Sequence, residues 1–107
     1  MSSETRALSQ LRRSLHRIPE LGFEEHSTHA LLSSLLGEVG TPQVVAGTGL
    51  IVDLGPEDAP RTVLLRADMD GLPIQEDNAV DYASTHPGRM HACGHDGHTS
   101  MLLGAAK

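Results

Sequence analysis

An α/β fold within a single domain is predicted for this chain of 107 residues. Three observations carry the prediction. Leucines recur at helical spacing up to Val39, the texture changes after Thr41 to short aliphatic and β-branched runs bounded by turn residues, and helix-forming residues return after Gly97.

The elements follow in order. Leu8, Leu11, Leu15 and Ile18 fall on one helical face with polar residues between them, so an amphipathic helix is expected from about residue 4 to 17, ended by Pro19. After the turn-like PELGF, a second helix is expected from Glu24 to Val39, with Leu31, Leu32, Leu35, Leu36 and Val39 on one face, acids at its start and Gly40 at its end. QVVAG, GLIVDLG and RTVLLRAD then read as three strands. The third, Thr62 to Ala67, is almost continuously apolar, as a strand buried on both faces would be, and is expected at the centre of the sheet. Gly71 to Arg89 carries prolines, acids and little periodicity, which predicts a long irregular loop of the kind that lines sites. From about Gly97 a third helix begins, with an apolar patch at Met101 to Leu103.

Composition narrows the function classes. Hydrophobic residues make up 38% before the 11 glycines are added, which is the level of an ordered soluble protein. One Phe, one Tyr and no Trp leave an aliphatic core of modest strength, in which Met90 and Met101 are expected to pack. A net charge of −6 without any Lys or Arg run argues against nucleic acid or an anionic membrane as partner, and Arg12, Arg13 and Arg17 read as a solvated helix face. No apolar run approaches the roughly 18 residues of a spanning helix, and MSSETRALSQLRR lacks the apolar block of a signal peptide, so the cytosol is the expected compartment. The single cysteine, Cys93, can form no internal disulfide and is left free for metal or for chemistry.

Two clusters could carry chemistry. Arg66, Asp68 and Asp70 follow the apolar run of RTVLLRAD, where ligands gather at the carboxyl ends of strands in open α/β sheets; the alternative is a strand exit with solvated acids. Cys93, Gly94 and His95, followed by Asp96 and His98, place a thiolate and an imidazole two positions apart across a glycine. Such a pair can close on one cation, at about 2.3 Å for sulfur and about 2.0–2.1 Å for nitrogen with zinc. The soft and borderline donors favour zinc, manganese or iron(II) over calcium or magnesium. Two other readings stand beside it: a low-pKa nucleophile paired with histidine, and a small buried cysteine among surface histidines. His16 falls in the last turn of the first helix, where an imidazolium favours the helix C-terminus, and that role is preferred to ligation.

Taken together, LRRSLHRIPELGFEEHST, RADMDGLPIQE and MHACGHDGHTSMLLGAA resemble the M20 metallopeptidase family. The likeness is to its amidohydrolase branch of hippurate hydrolases, N-acetyldiaminopimelate deacetylases and auxin-conjugate hydrolases, and it runs in order over nearly the whole chain. The resemblance implies that residues 1–107 are the N-terminal portion of a zinc-peptidase-like catalytic domain, α/β with helices packed on a mixed central sheet, and that the smaller dimerising lid domain is absent. It implies that Cys93 and His95 are metal ligands and that Asp68 is the active-site aspartate, an outer carboxylate that orients the site. Arg66 stands where other branches have a metal-binding histidine, a departure typical of this branch; Asp96 and His98 match the string without an assigned role.

The implied cofactors are two divalent ions, manganese or zinc, with cobalt and nickel also compatible with thiolate and imidazole. The implied reaction is metal-assisted hydrolysis of the amide bond of small-molecule N-acyl amino acids by a homodimer, with no nucleic-acid or membrane partner. In the family the general-base glutamate, a neighbouring glutamate ligand and two further histidine ligands come after the last of these motifs. An incomplete, inactive portion of a hydrolase is therefore expected, the alternatives being a non-catalytic metal-binding module or a Cys-His nucleophilic hydrolase.

Overall fold

The computed structural model describes residues 1–107 and contains three helices and one hairpin. Helix α1 runs Ser3–His16, α2 His26–Leu36 and α3 His95–Ala106; strands β1, Gln43–Val45, and β2, Gly49–Ile51, form the hairpin. Each helix lies where the leucine spacing or the terminal run placed it.

Helix α1 opens with Ser2 as its cap, whose Oγ accepts from the Thr5 amide at 3.1 Å, and the chain leaves it before Pro19. Its apolar stripe buries Leu11 and Leu15, which join Leu32 of α2 and Leu103 of α3 in the core; Leu31, Leu35, Leu36, Leu50 and Met69 pack around these four. The neighbouring row of α1, Leu8, Arg12 and His16 at four-residue spacing, faces the row Gly104, Ser100 and Asp96 of α3 in the opposite order, since Leu8 covers Gly104 while Arg12 and His16 reach Asp96. A Cβ on Gly104 would stand 2.9 Å from Leu8 Cδ2, so glycine there is what lets the two helices approach.

Helix α2 is shorter than expected at both ends. Its cap residue, Glu25, makes no capping bond of its own, and the orphan amides of the first turn are taken instead by Glu20 from the PELGF turn. Glu20 accepts from Ser27 N at 3.0 Å, Thr28 N at 2.7 Å and Thr28 Oγ1 at 2.7 Å. At the far end Gly37 replaces Gly40 as the stop, and Glu38, Val39 and Gly40 bond back to Leu35 and Leu36 in a closing turn. Glu25 and His29 hold the hairpin: Thr48 Oγ1 donates to Glu25 at 2.8 Å and His29 Nδ1 donates to the Thr48 carbonyl at 2.7 Å. The hairpin is antiparallel, with Val44 opposite Leu50, and Gly47 at φ 80° makes its turn.

The strand expected at Thr62 to Ala67 does not form. Residues 60–70 make no backbone–backbone hydrogen bond, and Val63, Leu64 and Leu65 are 83%, 79% and 62% exposed. A strand exists only as one side of a ladder, and no strand lies beside this run to complete it. The α/β class stands, with its sheet formed by β1 and β2. Met101, expected in the core, is exposed on α3, whereas Met90 is half-buried. No helix is long and apolar enough to cross a membrane.

Residues 71–89 form the expected irregular loop, pinned at its ends by a two-bond bridge between Leu72 and Met90. Thr85 N and Oγ1 both donate to the Arg17 carbonyl and His86 Nδ1 donates to that of Pro19, which straps the loop to the exit of α1. Glu76 is the loop's buried charge. Burial works against that charge, yet donation from His16, Asn78 and the Ser84 amide outweighs it and lowers the carboxyl to about 2. The same balance, led by Thr28 and Ser27, lowers Glu20. Groups depressed in the folded state stabilise it above their unfolded value and lose that stabilisation as pH falls, so for Glu76 the window runs from 4.5 down to about 2. Thermal unfolding followed at pH 6, 4 and 3 is expected to show falling stability, flatter in Glu76→Gln than in the wild type.

Candidate metal centre

Gly94, at φ 84°, turns the chain from the Met90–Cys93 segment into α3, a left-handed conformation that favours glycine. Cys93 and His95 flank that turn. The Cys93 thiol is exposed and makes no hydrogen bond to an imidazole, so the nucleophile–base pairing required of a Cys-His hydrolase is not formed.

His95 is oriented from the RADMD stretch. Its Nδ1 lies 2.8 Å from Asp70 Oδ1 and 3.1 Å from the Asp70 carbonyl oxygen, both acceptors, which makes Nδ1 the donor and leaves Nε2 with its lone pair free. Asp68 Oδ2 lies 3.8 Å from Nε2. A second tether, Thr99 Oγ1 donating to the Asp68 carbonyl at 2.8 Å, holds RADMD against α3, and Arg66 pairs with Asp68 at the exposed rim. Asp70 therefore carries the imidazole-orienting bond, while Asp68 stands on the side of the free nitrogen.

This donor set suits a divalent cation: a thiol able to ionise, an imidazole with Nε2 free, and a carboxylate on the other ring nitrogen, the arrangement that fixes the tautomer of metal-ligating histidines. Asp68 and His95 come together, but no set of three His, Cys, Asp or Glu side chains converges as a metal site.

Behind the site lies a buried charged network that sequence reading missed. Asp96 Oδ2 accepts from Arg12 Nε at 2.9 Å and His16 Nδ1 at 2.8 Å, and His16 Nε2 reaches Glu76 Oε2 at 3.0 Å. His16 is thus a buried bridge between two carboxylates, not a solvated cation at a helix end. Arg12 is committed to Asp96 and Arg13 lies over the Tyr82 ring at 4.6 Å, so two of the three arginines read as a solvated face have partners. Arg12 and His16 thereby give each of the two buried carboxylates a hydrogen-bonding partner. His91 packs beside it, its ring 6.4 Å from that of His16, and its own burial lowers its pKa, against the attraction of Asp96. The signal in the sequence was the row Leu8, Arg12, His16, which borders the apolar stripe of α1 rather than opposing it.

The model of peptidase family M20/M25/M40 matches residues 64–107, the span that contains both RADMD and MHACGHDGH. The N-acetyldiaminopimelate deacetylase of Oceanobacillus iheyensis is 48% identical over 101 residues, covering 92% of this chain. This chain belongs to peptidase family M20.

Other M20 proteins agree in sequence and in fold. The N-acyl-L-amino acid amidohydrolase of Geobacillus stearothermophilus is 48% identical over 98 residues, 90% of this chain. The crystal structure of the Bacillus subtilis YXEP protein, a dinuclear metal-binding peptidase of the M20 family, superposes with a TM-score of 0.87 at 40% identity over 96% of this chain. The M20 chain described here spans 27% of the Oceanobacillus protein, 26% of the Geobacillus protein and 30% of the YXEP chain. Its two motif stretches are the ones that meet at His95.

Proposed function

We propose that this chain contributes the Cys93 and His95 ligands of a two-ion centre that hydrolyses the amide bond of N-acyl amino acids, releasing a carboxylic acid and a free amino acid. The observation that carries the reading is the His95 geometry: Nδ1 is spent on Asp70, and Nε2 is left free beside Asp68. The names of the relatives, a deacetylase of an acetylated amino acid and an N-acyl-amino acid amidohydrolase, support the substrate class.

Divalent ions bound there, manganese or zinc, supply polarisation of the amide carbonyl and a water acidic enough to be deprotonated near neutral pH. The work of this chain is to hold and aim the donors. Asp70 keeps the His95 proton on Nδ1, Gly94 sets Cys93 and His95 on either side of one turn, and Asp68, within 3.8 Å of Nε2, adds negative charge at the ligand face. With no third donor converging, the 107-residue chain alone is expected to bind metal weakly and to turn over nothing.

The test is elemental analysis of the purified chain and of Cys93→Ser, with a hydrolysis assay on N-acetyl amino acids. Metal retained by the wild type and lost from the variant, without turnover, is the expected result. A folded wild type free of metal, with rapid Cys93 alkylation indifferent to chelator, would transfer the cysteine to another role.

A further inference from the structure

Three buried polar atoms lack a partner, and all three belong to the segment that carries the candidate ligands. They are Nδ1 and Nε2 of His91, which is 4% exposed, and Oδ1 of Asp96, which is 1% exposed. His91 lies two residues before Cys93, and Asp96 directly follows His95. Leaving a buried polar group unpaired destabilises the fold, so the two residues together represent a standing penalty unless they serve each other.

Their chemistry is complementary. A neutral imidazole offers one N–H and one lone pair, and a carboxylate only accepts. Asp96 cannot turn away to find another donor, because Arg12 and His16 of α1 hold its Oδ2 at 2.9 and 2.8 Å. His16 is held in turn by Glu76 at 3.0 Å, and it is the common neighbour of both residues, bonded to Asp96 and ring-packed at 6.4 Å against His91. The free oxygen is therefore presented rigidly on the α3 side of the ligand turn, with the free imidazole on the other side.

Resting on the metal reading given above, we propose that Asp96 and His91 are the positioning pair of the ligand turn: Asp96, anchored to α1, is joined through Oδ1 to the His91 N–H by one buried water. That bridge closes Met90–Asp96 into a fixed arc, so that Cys93 Sγ and His95 Nε2 can meet one cation. Neither residue touches the metal. Outer groups of this kind typically set metal affinity by about 10–100-fold when removed.

The experiment uses cobalt(II) as probe, by equilibrium dialysis of the 107-residue chain and by the near-ultraviolet thiolate-to-cobalt band, which reports whether Cys93 itself is bound. The variants are His91→Phe, which keeps the ring and deletes both nitrogens, His91→Gln, which restores a donor, and Asp96→Asn. The expected result is about 10–100-fold weaker cobalt binding and a diminished band in His91→Phe, with recovery in His91→Gln. Thermal unfolding of the metal-free samples supplies an independent check. If the His91 nitrogens have no partner, His91→Phe removes a buried polar penalty, so a more stable variant with the wild-type band and affinity would overturn the proposal. Should His91→Phe fail to fold, Asp96→Asn carries the same test: wild-type cobalt affinity and band in it would also overturn the pairing. A wild type that shows no thiolate band would overturn the metal reading and this inference together, whereas a wild-type band preserved in every variant overturns the inference alone.

Discussion

Leu15→Ala is expected to lower the stability of the chain by about 3 kcal/mol, the middle of the range for removing a buried leucine side chain. Leu15 is 1% exposed, the most buried of the four leucines that form the core cluster, so it carries a large share of the core. The neighbours cannot close the cavity. The next residue, His16, is tied to Asp96 and Glu76, and Leu11, Leu32 and Leu103 come from three different helices whose backbones would all have to move. Urea denaturation of wild type and variant, followed by far-ultraviolet circular dichroism, measures the difference. A loss below about 1 kcal/mol would mean that the site collapses freely and that Leu15 is not the centre of the core.

The second large effect concerns the ligands. His95→Ala is expected to weaken zinc or cobalt binding by on the order of 100-fold or more, since four-ligand zinc sites deliver roughly 10–16 kcal/mol and one ligand's share is about 2.5–4 kcal/mol. Asp70→Asn should weaken it less, by about 10–100-fold, because the amide can still meet Nδ1 but no longer favours the charge and tautomer that leave Nε2 for metal. Asp68→Asn tests whether the second carboxylate matters at the Nε2 face, 3.8 Å away. Competition with a chromophoric chelator ranks all three against the wild type. Equal affinity in His95→Ala and wild type would remove His95 from the metal centre.

These expectations differ in how far they could be read from the chain. The three helices were legible because each depends on residues within a few positions: the leucine spacing of α1 and α2, Pro19 and Gly37 as stops, and the helix-forming run after Gly94. The loop at 71–89 was legible from its prolines and acids for the same reason. MHACGHDGH stood out as a candidate ligand string because Cys93 and His95 are two positions apart, and the turn at Gly94 between them needs no distant partner to form.

What the linear order could not show is pairing across long separations. The run Thr62 to Ala67 has the composition of a buried strand, but composition specifies only what a strand would tolerate, and the ladder that makes one must come from elsewhere. His16 offers a plainer case. Its two partners lie 60 and 80 residues away, so no local pattern distinguishes a histidine that bridges carboxylates from one that simply ends a helix.

The sequence by itself determined the α/β class, the helical segments, the membership in a metallopeptidase-like family and the candidate ligands Cys93 and His95. Only the tertiary structure decided that Asp70 rather than Asp68 holds the His95 Nδ1 proton, and that Asp96 is buried between Arg12 and His16. The physical reason is that helix formation and ligand type are written in short-range spacing and side-chain chemistry, whereas the choice among several nearby carboxylates depends on ångström-scale distances set when α1, α3 and the RADMD segment pack together.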